Sequence, residues 1–510
     1  MSNSFSENTH AALGPDRQSS DKTGNVTKEA GFEVDLNYGG LLAEVLQSNM
    51  VIQQGKPFTL WGNASPGEKI EISADWLEKR ITAEANEKRI WKIVIDVPFI
   101  NPGDFTPHSI TIFSGKREVR LDNLLIGEVW FMSGQSNMAM SMKPFLPWHK
   151  GVVDYDSEIA EAHYPFIRLY KQAKNSSLVP QSVSSGKWQE CSPETVADFS
   201  AVSYYFAKKL FEQINIPIGI VLSALGGMSC QSFTPAETLQ QDETLKHHFW
   251  DTWISNPELE ETKRPSHLYN GMIHPFIHLS IRGFGWYQGE SNAGHRELYT
   301  LLCSEMIKAW RLKFNQGELP FYLVQMTPYS WKGKDFYNDG YAYFREAQEK
   351  IIEITPKTDI VSTMDVGEAD AIHPSDKKPV GERLAALALY HDYKVGNVPK
   401  GPVYSRMEIM GPAVRIFFSE ETVGSGLTTK DGKNPDHFYV AGSDSIFYLA
   451  NAVIKNNTIE LKCEQVKEPV AVRYAFLTYP LTNLQNKEGF AAYPFRTDSR
   501  ANVKYNNIPK

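Results

Sequence analysis

The stretch FMSGQSNMAM, Phe131 to Met140, sets Ser136 directly after an apolar run and between Gln135 and Asn137. Two roles are open to such a serine. It can cap a helix by accepting from the backbone, or it can attack an acyl carbon once a base takes its proton. Three other stretches carry complementary chemistry. Gly226-Gly227 follows IGIVLSAL, Gln288-Gly289-Glu290-Ser291-Asn292 follows IRGFGWY, and Asp370-Ala371-Ile372-His373-Pro374 follows DIVSTMDV. His373 is a base suited to a serine nucleophile. Asp370, three residues before it, is a carboxylate to hold the imidazole in the right tautomer, and Asp365 and Asp376 are open to the same task; with none of the three engaged, the pair works as a Ser-His dyad whose imidazole is held by backbone carbonyls. The N–H groups of Ser136 and Gly227 and the side-chain amide of Asn292 make three donors for a tetrahedral oxyanion. Glu290 competes for a carboxylate role. It reads as a supporting residue, because it precedes Asn292 and not a histidine. Gln135, Gln288 and Trp286 flank these groups and are candidates for substrate contact. Trp286, Tyr287, Tyr329 and Trp331 offer faces for a sugar ring, against the general tendency of such aromatics to be core.

Taken singly, each of these residues has a plain structural reading: a cap, a turn, a loop amide, a loop end. Their common position gives them weight. Each follows an apolar strand-like run, and in open parallel sheets sites form beyond the carboxyl ends of the strands. LIGEVWFMS, IGIVLSAL, IRGFGWY, PFYLVQM and DIVSTMDV read as strands. Between them, Val202, Tyr205, Phe206, Leu210 and Ile214 repeat at helical spacing, as do Leu302, Met306 and Trp310, and PVGERLAALALY closes the region. This alternation over 123–395 predicts an α/β domain with a parallel sheet covered on both faces. Residues 34–122 instead show short alternating runs broken by Gly-Lys-Pro and Ser-Pro-Gly, the pattern of a small β-sandwich-like domain. Residues 396–510 return to β patterning in AVRIFFSE, NTIELKC and VAVRYAFLTY, which predicts a C-terminal β domain. Residues 1–33 form a polar stretch without an apolar centre and read as a disordered tail.

Bulk properties narrow the class. The 510 residues exceed one ordinary core. A net charge of -8 and the lack of any basic run argue against nucleic acid. No apolar run approaches the ~20 residues of a membrane helix. Cys191, Cys230, Cys303 and Cys463 are widely spaced, which predicts isolated buried thiols and no zinc site. There is no His-Glu-x-x-His metalloprotease motif, and no metal or cofactor is called for. The serine turn is not Gly-x-Ser-x-Gly, since Met138 stands at the fifth position.

GEVWFMSGQSNM, WYQGESN and AIHPSDKKPVGERLA resemble the blocks of the sialate O-acetylesterase family, carbohydrate acetylesterases of the SGNH (GDSL-like) hydrolases. The likeness runs along most of the chain after the polar tail, from LAEVLQSNMVIQQGKPFTLWG to PVAVRYAFLTYPLTNLQNKEG and PFRTD. It implies an SGNH-like catalytic domain flanked by two β domains. It also implies Ser136 as nucleophile, Gly227 and Asn292 as oxyanion donors, His373 as base and Asp370 in the Asp-x-x-His position. One departure stands out. The family tends to show Ser-Trp-Gly-Gly-Thr where this chain has Ala224-Leu225-Gly226-Gly227-Met228, which keeps the oxyanion glycine and changes the pocket around it. The implied activity is hydrolysis of O-acetyl groups on sialic acids. Acetylated xylan or another glycan is the alternative substrate, and an inactive carbohydrate-binding protein is the alternative of another class. The resemblance implies a periplasmic or extracellular setting.

Overall fold

The computed structural model describes residues 40–256, 258–330, 338–501 and 503–506, which lie within one compact unit, Val34–Lys510. The polar stretch 1–33 and Trp331 lie outside the described residues.

Seven strands make the central sheet, in the order Thr358–Val361, Phe321–Val324, Gly283–Tyr287, Arg117–Gly134, Ile218–Ala224, Tyr164–Lys171 and Trp188–Cys191. The first six pair in parallel, and Trp188–Cys191 closes the edge antiparallel. The predicted strands thus lie side by side, and all their carboxyl ends face one rim. Their sequences are continuous apolar runs because both faces are covered. Along the central strand, Phe131 joins one hydrophobic cluster while Trp130 and Met132 join the other, which is the alternation a pleated strand imposes. Helices Arg296–Phe314 and Gly340–Ile354 pack together, as do Ala201–Ile214 and Lys378–His391. Their apolar residues are divided the same way: Trp310 and Phe344 lie in the cluster with Phe131, Phe206 and Leu384 in the other. Ser200 caps its helix, its hydroxyl accepting from the Ser203 N–H at 3.1 Å.

Strand Arg117–Gly134 is 18 residues long. Its first half pairs antiparallel with His108–Ser114, and its second half enters the central sheet. The sequence boundary near residue 122 therefore falls inside one strand, at a change of partners. Val51–Gln53 also pairs with it, in parallel, at Leu125–Gly127. The N-terminal strands share the Phe131 cluster with the central sheet. The C-terminal residues form β-sheets, antiparallel except where Ile446–Leu449 pairs in parallel with Lys504–Asn506, over a separate cluster that includes Val414, Ile459 and Val472. Buried Arg345 ties the central and C-terminal regions together. Its guanidinium donates to the carbonyls of Met326 at 2.8 Å, Leu477 at 2.8 Å and Thr478 at 2.9 Å. All four cysteines are buried and unpaired.

Candidate active site

The central strand stops abruptly at Gly134. Its φ of 138° is a conformation that side chains disfavour, and a Cβ there would collide with the carbonyl of Tyr287. A one-turn helix, Ser136–Ala139, starts two residues on. Gln135 takes the cap position, so Ser136 is not the cap; it is the first helical residue, half-buried. Among the described residues its hydroxyl makes no hydrogen bond, to His373 or to any other group. The glycine loop lies directly against it. A Cβ on Gly226 would sit 3.4 Å from the Ser136 Cβ, while Gly227, at φ 73°, borders open space.

Asn292 lies fully buried in the short helix Glu290–His295 after the strand Gly283–Tyr287. Its Oδ1 accepts from the Cys230 N–H and from Gln288 Nε2, both at 2.8 Å. Its Nδ2 donates to Gln231 Oε1 at 2.9 Å. A primary amide has two hydrogens, so one more remains to donate. Gln288 Nε2 also reaches Gln135 Oε1 at 3.1 Å, and Tyr299 donates to Gln288 Oε1 at 2.8 Å. Gln135 and Gln288, expected at the substrate, are buried and join the serine turn to the loop 228–231. Trp286 departs from expectation in the same way. It is 1% exposed and edge-packed on Phe233 and Trp310, because the strand that bears it is covered on both faces. Tyr287 and Tyr329 are buried too.

His373 is half-buried in the loop after Thr358–Val361. Its Nδ1 lies 2.9 Å from the carbonyl oxygen of Trp148. A carbonyl can only accept, so Nδ1 carries the hydrogen and Nε2 keeps its lone pair, the tautomer a general base needs. Burial pushes the imidazole below the ordinary histidine range; the Trp148 carbonyl opposes this and the charge of Lys377 adds to it. Asp370 is exposed and makes no hydrogen bond to this ring among the described residues. Asp365 is committed elsewhere, its two oxygens each 2.7 Å from the Arg383 guanidinium. Asp376 makes no hydrogen bond to the imidazole among the described residues.

Four residues that sequence reasoning passed over complete the site. Trp148 supplies the carbonyl. His149 stands beside His373, with ring centroids 6.4 Å apart, and is pushed down to about 4, chiefly by burial. Asn137 donates to Ile372 O at 3.1 Å and to Glu290 Oε1 at 2.7 Å. Lys377 donates to Asn137 Oδ1 at 2.9 Å and to Pro374 O at 2.8 Å. Asn137 and Lys377 sat inside the sequence blocks that carried the resemblance, but nothing in their types announced a buried bridge. Among the described residues no group of three His, Cys, Asp or Glu side chains is arranged to hold a metal, and no helix is long and apolar enough to cross a membrane.

Residues 126–390, just over half of the chain, match the family model described as carbohydrate esterase, sialic acid-specific acetylesterase. The chain belongs to this family. Its fold is similar to that of a carbohydrate acetylesterase from Xanthomonas citri, with a TM-score of 0.79 and 30% identity over 89% of this chain and 98% of that one. It is similar in sequence to the sialate O-acetylesterase of Mus musculus, 26% identical over 76% of this chain and 78% of that protein. For the sialate O-acetylesterase of Homo sapiens the identity is 26%, over 73% and 75%. The protein is therefore a carbohydrate O-acetylesterase, and the reading as an inactive carbohydrate-binding protein gives way. In this esterase the four strand-end segments named from sequence meet on one rim. The amide chain from Gln135 to Asn292 and the bridge from Asn137 to Ile372 hold them there.

Proposed function

We propose that this esterase works through a Ser136–His373 dyad of the SGNH type and hydrolyses O-acetyl groups of sialic acids. Ser136 Oγ attacks the acetyl carbonyl while His373 Nε2 takes its proton. The oxyanion is held by the N–H groups of Ser136 and Gly227 and by Asn292 Nδ2, and a single donor of this kind is worth ~3 kcal/mol of barrier. The base returns its proton to the sugar oxygen, which leaves as a hydroxyl. Water, deprotonated by the same imidazole, then attacks the acetyl-serine and frees acetate. No metal takes part in this scheme. The observation that carries it is the 2.9 Å contact between His373 Nδ1 and the Trp148 carbonyl, which leaves Nε2 unprotonated without help from a carboxylate.

Sialic acid as the substrate is supported by the family description and by the names of the mouse and human relatives. Acetylated xylan is the competing substrate, and the changed segment Leu225-Gly226-Gly227-Met228 is the feature that favours testing it. The deciding experiment is acetate release from O-acetylated mucin and from acetylated xylan at equal enzyme concentration, with Ser136→Ala alongside. Faster release from mucin, abolished in Ser136→Ala, is the expected result. Faster release from xylan overturns the substrate. Retention of more than about a tenth of turnover in Ser136→Ala overturns the mechanism.

A further inference from the structure

The Ser–His reading leaves one group unexplained: a lysine enclosed beneath the two catalytic segments. Lys377 is 1% exposed, and Asn137 is fully buried. We propose that Lys377 and Asn137 are positioning residues that grip the base-bearing loop on both sides of His373 and fix it against the turn carrying Ser136. The inference rests on the assignment of Ser136 and His373 above.

The two carbonyls that flank His373 in sequence are both held. Asn137 Nδ2 donates to Ile372 O at 3.1 Å, and Lys377 Nζ donates to Pro374 O at 2.8 Å. The two grips are joined, because Lys377 Nζ also donates to Asn137 Oδ1 at 2.9 Å. Asn137 is the residue after Ser136, so the same side chain refers the loop to the nucleophile. Glu290 completes the bridge, accepting from Asn137 Nδ2 through Oε1 at 2.7 Å. Its Oε2 is shut away from solvent with no hydrogen-bond partner among the described residues.

Burying an ammonium and a carboxylate is costly unless the geometry repays it. An apolar side chain at 377 would fill the space without that cost, so the hydrogen bonds are what the lysine adds. The groups facing its charge are the carboxylates of Glu290, Glu368 and Asp376, the imidazoles of His149 and His373, and the ring of Tyr287 at 5.9 Å. Burial pushes the Lys377 ammonium down to about 7, and the first three oppose that shift. The ammonium in turn disfavours protonation of both imidazoles, which suits a base that must stay neutral. Neither positioning residue touches the reacting atoms. Their effect is on geometry, where a displacement of ~1 Å costs about 10²-fold in rate.

The test compares Lys377→Met, Asn137→Ala and the double variant with wild type, using p-nitrophenyl acetate turnover, the rate of fluorophosphonate labelling and thermal melting. Each single variant is expected to lose about 10²-fold in kcat and in labelling rate with KM little changed. The double variant is expected to lose no more than the worse single, because the two act as one unit. Lys377→Met is also expected to move the acid limb of kcat/KM upward, since a positive charge near His373 is gone, while Asn137→Ala, which keeps the ammonium, leaves it in place. A wild-type kcat per folded molecule in either single variant overturns the proposal, even if melting falls, and so do fully additive losses. Should Lys377→Met not fold, Asn137→Ala decides by the same kcat and labelling criteria. Ser136→Ala and His373→Ala run in parallel. If either turns over at the wild-type rate, the dyad reading fails, an outcome distinct from failure of the clamp alone.

Discussion

His373 Nδ1 donates to the Trp148 carbonyl at 2.9 Å, and that bond occupies the place where a triad would put a carboxylate. Asp370, the residue that the Asp-x-x-His spacing nominates, lies exposed on the same loop. Asp370→Asn should therefore keep turnover on an acetylated sugar within about twofold of wild type, whereas tautomer loss in a true triad costs about 10⁴-fold. His373→Ala should fall as far as Ser136→Ala. Steady-state kcat for the three variants on one substrate checks this, and a collapse in Asp370→Asn would return the carboxylate to the mechanism.

Asp365 should behave differently, through stability and not through chemistry. Its carboxylate makes a two-point pair with Arg383, and the two side chains are 6% and 8% exposed. Asp365→Asn leaves a buried guanidinium without its counter-charge, a loss of about 3–5 kcal/mol. Thermal or urea melting should show a large drop, while kcat measured on the folded fraction stays near wild type.

These two aspartates mark the limit of what the sequence discloses. Strand positions were legible because an apolar run of both parities has few other uses, and the four strand-end residues followed from them. A backbone carbonyl carries no signature in sequence, so a Ser-His dyad held by backbone carbonyls stayed open beside Asp370, Asp365 and Asp376, with no particular residue to name for it. Trp286 misled for a related reason. An aromatic next to a site motif reads as platform or, more often, as core, and the helix Arg296–Phe314, which brings Trp310 against it, puts Trp286 in the core. Near residue 122 the sequence pattern changes. That one strand, Arg117–Gly134, spans it could not be read, because the change is one of strand partners and not of element.

Activity should rise from acid with a midpoint below the ordinary histidine value of ~6.5. The proposed base, His373, must be neutral to act, and burial first, then the Lys377 charge, lower its affinity for a proton, against the opposing Trp148 carbonyl. The sign on stability is the same. The unfolded chain binds this proton more readily, so the contribution of His373 is fully present above ~6.5 and is lost as pH falls through the lower folded value. The pH dependence of kcat/KM checks the first statement. A limb centred well above ~6.5 would mean that a carboxylate, and not a carbonyl, faces the imidazole.

Asn292 holds a structural duty and a proposed catalytic one. Its Oδ1 accepts from the Cys230 N–H and Gln288 Nε2, one hydrogen of Nδ2 is held by Gln231 Oε1, and the other is the proposed oxyanion donor. Asn292→Ala removes both. It should lower stability by about 1–3 kcal/mol, because a buried N–H loses its acceptor, and lower kcat by about 10²–10³-fold. Asn292→Asp keeps an acceptor facing Cys230 and removes the donor, replacing it with an oxygen that repels the developing negative charge. Its melting temperature should fall too, because a buried carboxylate oxygen then faces Gln231 Oε1, and its kcat on the folded fraction should fall at least as far as that of Asn292→Ala. Melting and kcat measured on both variants decide the matter. If Asn292→Asp turned over like wild type, the amide would be scaffold alone, and the oxyanion would rest on the backbone of Ser136 and Gly227.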